Sequence, residues 1–161
     1  MDKITLGTRN VSIEFPGVKA LSNVDFEIET GVIHALMGAN GAGKSTLMKV
    51  LAGSNPGYTG DVLYNGNPVE LRNPAAAKKL GIQIVYQEVD MALIPTLTVA
   101  ENVMFNDLVM NMGHKQFVNY GKIRKDAKEA LARLNVNIDV RRMCGTLTLA
   151  QKQMVLIARA V

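Results

Sequence analysis

Residues 32–46 read VIHALMGANGAGKST, and they decide the fold. Val32 to Met37 is nearly all apolar, which predicts a strand buried on both faces, as in a parallel sheet. Gly38-Ala39-Asn40-Gly41-Ala42-Gly43-Lys44-Ser45 then fits the pattern G-x-x-x-x-G-K-[ST], and Thr46 extends it. Ser45 to Leu51 reads as a helix, with Gly53 where a helix-ending glycine belongs. Strand, glycine loop and helix together form the setting that a phosphate-binding loop requires. The glycines let the backbone wrap around phosphate oxygens with its N–H groups turned inward. The helix N-terminus brings a partial positive charge. Lys44 can reach the outer phosphates as a mobile cation, and the Ser45 hydroxyl can fill one position around Mg²⁺. The motif implies ATP or GTP as ligand.

Upstream, Val11, Ile13 and Phe15 alternate with Ser12 and Glu14, and Val24, Phe26 and Ile28 alternate with Asp25, Glu27 and Glu29. A period of two with acids on the other face predicts a half-exposed antiparallel pair. Downstream, Asn65-Gly66 marks a tight turn. Asn73-Pro74 is a cap followed by a first-turn proline, so Pro74 to Leu80 is expected as a short helix. Ile82 to Tyr86 is a second apolar run, expected as a buried strand that Gln87 closes. Thr98 with Glu101 and Thr148 with Gln151 form two capping boxes, each opening a helix. Ile123, Ala127, Leu131 and Leu134 mark the apolar stripe of another.

Composition sets limits around this reading. The chain has 161 residues, 48% of them apolar and 20% charged, which suits a domain with a real core. A net charge of +4 is mild, and no long run of like charge suggests a nucleic-acid partner. The single cysteine, Cys144, has no intrachain partner, and a reducing compartment is expected. The first ten residues lack the apolar centre of a signal peptide. No apolar stretch approaches the roughly 20 residues that span a bilayer. Any membrane link is therefore expected to run through a partner.

Asn10 to Gly53 resembles the opening of ABC transporter ATPases, and the resemblance extends over nearly the whole sequence. It implies an α/β fold: a P-loop NTPase core, here truncated, with N-terminal antiparallel β-strands and an α-helical subdomain. On that reading residues 1–95 supply the strand and phosphate-loop part, 96–150 the helical subdomain and 151–161 the start of a helix returning to the core. Phe15 stands where the family stacks an aromatic on adenine, although alternation would equally make it a core residue. Gln87 stands at the end of its strand where the family's glutamine touches Mg²⁺ and the attacking water and begins the link to the membrane subunit; an amide is both donor and acceptor.

Leu147-Thr148-Leu149-Ala150-Gln151 is similar to the signature L-S-G-G-Q, which grips the nucleotide of the opposite ATPase unit. Thr148 keeps the hydroxyl, whereas Leu149 and Ala150 replace two glycines and restrict the loop. A capping box alone would explain the same residues. The L-[ST]-x-A-Q form, with Thr96-Leu-Thr-Val-Ala-Glu-Asn102, looks like ATPases of bacterial monosaccharide importers of the ribose and galactose type. The implied ligands and partners are ATP, Mg²⁺, membrane-spanning permease subunits and a second ATPase domain packed head to tail. A solute-binding protein is implied indirectly, and the implied location is the cytoplasmic face of the membrane.

The family's hydrolytic Asp-Glu pair and switch histidine do not follow Gln151 here, and neither His34 nor His114 fits the latter's place. The complete protein is expected to hydrolyse ATP, and residues 1–161 alone are expected to bind it without turnover. A non-transport ABC ATPase is the other alternative. The P-loop strand is also expected to be covered, by another polypeptide or by the C-terminal helix.

Overall fold

A computed structural model describes residues 3–86, 89–111 and 118–161. They form two compact units, Met1–Ile84 and Val85–Val161.

In the first unit, strand β1 (Thr5–Phe15) turns at Pro16-Gly17 into β2 (Val18–Glu29). The pair is antiparallel, with Leu6 opposite Ile28, Thr8 opposite Phe26 and Val11 opposite Val24. Register slips after Thr8, Val11 and Ile13 break the simple alternation. Asn10 and Asn23 lie in the slipped region with φ of 52° and 47°, a conformation asparagine tolerates better than most residues. Their backbone N–H groups donate to Asp25 Oδ1 at 2.6 Å and to Ser12 Oγ at 2.8 Å. Val11 and Ile13 are buried as expected, whereas the slip before Glu14 leaves Phe15 41% exposed.

Strand β3 (Thr59–Tyr64) pairs with the far edge of β1 and turns at Asn65-Gly66 into β4 (Asn67–Val69). Both turn residues are left-handed, at φ 50° and 73°, as a tight Asn-Gly hairpin requires. The sheet order is β2-β1-β3-β4, and every pairing is antiparallel. Helices α1 (Lys44–Leu51) and α2 (Pro74–Lys79) complete this unit's core, in which Val11, Ile13, Leu21, Leu47, Val50, Val62 and Leu71 are buried. Asn73 caps α2 by accepting from the Ala76 N–H at 2.9 Å.

The two apolar runs depart from expectation. Residues 33–39 and 82–86 carry no strand assignment. Ile33 is 98% exposed and Met37 87%, so the expected P-loop strand is not buried. A strand buried on both faces needs ladder partners on both edges. Among the described residues no strand pairs with either run, because β1 to β4 pair only with one another.

The second unit is helical: α3 (Val89–Ala92), α4 (Val99–Val103), α5 (Phe105–Asn111), α6 (Tyr120–Arg133) and α7 (Leu149–Ala160). Its core gathers Val99, Val103, Ala127, Leu131, Val140, Cys144, Val155 and Leu156. Ala127 and Leu131 are the buried centre of the predicted α6 stripe, and Ile123 and Leu134 pack at its edge. Both predicted capping boxes form, at Thr98 with Glu101 and at Thr148 with Gln151.

A buried polar node ties α3, α4 and α7 together. Asn102 is fully buried; its Oδ1 accepts from the Ile94 N–H at 2.9 Å and from Arg159 Nη2 at 3.1 Å. Its Nδ2 donates to the Ile94 and Thr98 carbonyls at 2.9 and 3.1 Å. Arg159 also donates to the carbonyls of Asn102 and Ala92 at 2.8 and 2.7 Å and lies over the Phe105 ring. Burial lowers the Arg159 pKa, and it pushes the neighbouring Cys144 thiol up.

Candidate nucleotide-binding site

The glycine loop joins the unpaired run at Met37 to α1, and three local facts shape it. Gly41 and Gly43 both have φ of 83°, which residues bearing a Cβ adopt only at a cost. Gly43 is also the residue on which α1 approaches β2. A methyl group there would stand 2.5 Å from the Ala20 carbonyl oxygen and 2.9 Å from Leu21 Cδ2. The Ala42 N–H donates to the Ala39 carbonyl at 3.2 Å and closes the turn through Asn40 and Gly41.

Lys44 folds back over this turn. Its Nζ donates to the Gly38 and Ala39 carbonyls, both at 2.7 Å. The ammonium therefore stands within the loop, not out in solvent. The first helical N–H with an intrahelical acceptor is that of Leu47, which donates to the Gly43 carbonyl at 2.9 Å. The N–H groups of Lys44, Ser45 and Thr46 have no acceptor among the described residues. The first turn of α1 carries no acid, and Lys49 lies in the last turn. A cation and unmatched N–H donors at a helix N-terminus suit a row of phosphates. Ser45 is in that first turn and offers a hard oxygen, the donor type Mg²⁺ accepts beside phosphate.

Phe15 belongs to the same end of the β1–β2 hairpin. It pairs with Val18, two residues before the Ala20 carbonyl that abuts Gly43. The strand registers thus bring an exposed aromatic to the end of the hairpin near which Gly43 approaches Ala20. Gln87 lies outside the described residues, as does His114. The His34 Nε2 accepts from the Glu29 N–H at 3.2 Å, a structural contact at the end of β2.

The stretch from Leu147 to Gln151 lies in the second unit. Leu147 is buried, while Thr148, Leu149 and Ala150 are exposed. The Thr148 hydroxyl accepts from the Gln151 N–H at 3.3 Å, and Gln151 Oε1 accepts from the Thr148 N–H at 3.1 Å. The two capping boxes differ in what they leave free. At α4 the first-turn N–H groups of Val99 and Ala100 are taken by the Arg142 and Val140 carbonyls at 2.8 and 2.9 Å. At α7 those of Leu149 and Ala150 have no acceptor among the described residues. Of the two helix starts, only the one in the L-T-L-A-Q stretch keeps donors for a ligand.

Sequence reading passed over Ala20 and Leu21, which wall in Gly43, and the pair of Asn102 and Arg159. Arg159 is the only charged residue in the run from Met154 to Val161, a signal that it needs a buried partner.

A glycine loop closed by its own lysine, a helix with an open N-terminus and an antiparallel hairpin beside it define a P-loop nucleotide-binding protein. Residues 21–161 match the ABC transporter family, and the chain belongs to that family. It is 44% identical over 97% of its length to a ribose import ATP-binding protein of Rubrobacter xylanophilus. It is 46% identical over 96% of its length to a putative ribose/galactose/methyl galactoside import ATP-binding protein of Agrobacterium fabrum, and 43% over 97% to an arabinose import ATP-binding protein of Pectobacterium atrosepticum. The chain spans about 30% of the length of these relatives. Among solved structures it resembles an ATP-binding cassette of an ABC transporter in its ADP conformation. The TM-score is 0.79 at 26% identity, over 99% of this chain and 65% of that one. A dimeric ATP-binding cassette bound to ADP and Pi aligns with a TM-score of 0.69 at 26% identity, over 97% of this chain and 68% of that one.

Proposed function

We propose that the chain forms the nucleotide-binding front of an ATPase subunit that drives sugar import across the cytoplasmic membrane. The observation that carries this reading is the loop from Gly38 to Thr46, with Lys44 Nζ inside it and three helical N–H groups open beside it. ATP is the ligand. The backbone of Gly38, Ala39, Asn40, Gly41, Ala42 and Gly43 wraps its phosphates, and Lys44 supplies the cation. The hydroxyls of Ser45 and Thr46 adjoin them, and Phe15 offers its face to the base. Mg²⁺, held by Ser45 and Gln87 together with the phosphates, would neutralise the phosphate charge. Gln87 would also orient the water at the γ-phosphate.

The open start of α7, at Thr148 to Gln151 behind Leu147, serves the nucleotide of a second ATPase domain in a head-to-tail pair. Two separate anion sites in one polypeptide make sense in such a pair, and the dimeric cassette among its structural relatives supports it. The names of the relatives supply the substrate class, a sugar. No described helix is long and apolar enough to cross a membrane. In this reading permease subunits form the pathway, a solute-binding protein delivers the sugar to them, and the ATPase sits peripherally on the cytoplasmic face.

Titration calorimetry with Mg-ATP tests the reading. Lys44→Ala removes charge-assisted hydrogen bonds of about 1.5–3 kcal/mol each. Loss of one such bond weakens binding by about 10- to 150-fold. Equal affinity in the wild type and the variant would sink the proposal.

A further inference from the structure

We propose that Asn40-Gly41 is a site of spontaneous deamidation, and that its product shuts the phosphate loop to nucleotide. The first half stands on the loop alone; the second rests on the nucleotide reading above.

Of the asparagines in the sequence, only Asn40 and Asn65 precede a glycine. Glycine matters because the reaction begins when the next residue's backbone nitrogen, having lost its proton, attacks the carbonyl carbon of the asparagine carboxamide. A Cβ would shield that nitrogen. The new C–N bond closes a five-membered imide, and the original C–N bond of the carboxamide breaks with loss of ammonia. Water then opens the imide at either carbonyl, leaving aspartate or isoaspartate. Water is the co-reactant, ammonia is the leaving group, and no oxidation occurs.

The structure separates the two sites. Asn65 is tied into its hairpin: its Oδ1 accepts from the Thr5 N–H at 2.9 Å, its own N–H donates to the Thr5 carbonyl at 2.9 Å, and its carbonyl accepts from Asn67 Nδ2 at 3.1 Å. To reach the next nitrogen, its carboxamide must give up the bond to Thr5. Asn40 and Gly41 are both exposed and make no hydrogen bond among the described residues. Nothing lies within 4 Å of the position a Gly41 Cβ would take. The Asn40 carboxamide can therefore swing onto the Gly41 nitrogen without breaking a hydrogen bond.

The consequence follows from where Asn40 lies. Aspartate adds a negative charge beside the phosphates, and isoaspartate also lengthens the backbone by a methylene within the wrapped loop. Either opposes an anion held by Lys44 and the first turn of α1.

The test incubates the native protein in mildly alkaline buffer and follows each site by peptide mass mapping. Isoaspartate is labelled with an isoaspartyl methyltransferase, and Mg-ATP affinity is titrated at intervals. Asn40 is expected to convert about tenfold faster than Asn65, the effect of the extra bonds that hold the latter. In the denatured protein the two rates should converge. Affinity should fall in step with conversion at position 40. Asn40→Gln should keep its amide and a constant affinity, whatever its starting value. Asn40→Asp should bind more weakly than wild type from the first measurement. Conversion of Asn65 as fast as Asn40 in the native protein would overturn the proposal. Complete conversion at position 40 with undiminished affinity would overturn its second half. If fresh wild type fails to bind Mg-ATP, the nucleotide reading falls and takes that second half with it, while the mass data still decide the first.

Discussion

Replacing Gly43 with alanine should destabilise the protein far more than the same change at Gly41. The two glycines share a φ of 83°, so each variant carries the cost of a left-handed alanine, roughly 1–2 kcal/mol. Their surroundings differ. At Gly41 a methyl group meets nothing within 4 Å, whereas at Gly43 it meets the Ala20 carbonyl oxygen at 2.5 Å and Leu21 Cδ2 at 2.9 Å. The leucine can turn aside. The carbonyl cannot, because it lies in β2 between Lys19 and Leu21, both paired with β1. The start of α1 must move off the hairpin instead, an overpacking cost of about 1–3 kcal/mol. Gly43→Ala should thus lose about 2–5 kcal/mol and Gly41→Ala about 1–2 kcal/mol. Urea unfolding followed by far-ultraviolet circular dichroism resolves such a gap against a total stability of about 5–15 kcal/mol. Equal losses in the two variants would show that close approach to β2 does not set the position of α1.

Asn102→Leu should cost about 1–3 kcal/mol, because it leaves the Ile94 N–H and the half-buried Arg159 Nη2 without the Asn102 oxygen they share; a thermal melt of the second unit's helices would register it, and a near-neutral result would contradict the node. Thr148→Ala should cost about 0.5–2 kcal/mol through loss of the cap on α7, read as lower helix content and an earlier unfolding midpoint. Cys144 gives a pH test. Burial raises its thiol pKa in the fold above the unfolded value, with Arg159 opposing the shift. Its contribution is complete below the unfolded pKa and is lost as pH rises through the folded one, so stability should fall on the alkaline side of the ordinary thiol range. Cys144→Ala should flatten that decline in a series of unfolding curves, and an unchanged slope would refute the assignment.

What the sequence made legible was decided within a few residues. The Asn65-Gly66 hairpin, the Asn73 cap, the two capping boxes and the helix-ending Gly53, which has φ of 69°, each follow from short-range sterics and hydrogen bonding. So does the glycine loop. What it hid depends on distant partners. Gly43 meets Ala20, and Asn102 meets Arg159 across 57 positions. Phe15 shows the same limit at short range. Alternation put it inward with Val11 and Ile13, but a register slip before Glu14 reset the count and turned it out. The slip is a property of the β1–β2 pair, and neither strand alone reveals it.

The runs from Val32 to Met37 and from Ile82 to Tyr86 show where a local code stops. Hydrophobic periodicity records the surroundings a segment suits, and a continuous apolar run suits a strand with neighbours on both edges and cover on both faces. It cannot supply those neighbours. Short-range signals made a helix wherever α1, α2 and α7 needed one, because a helix satisfies its backbone within itself. A strand satisfies its backbone only through another strand. Ile33 at 98% exposure and Met37 at 87% therefore contradict the expectation of a buried, covered strand that the apolar run suggested. The glycine loop, anchored by Gly43 against β2 and by α1 behind it, has its shape without a paired strand before it. Its turn is set by its own glycines, by Lys44 and by the helix that follows, so the loop could be read from one short stretch while the sheet could not.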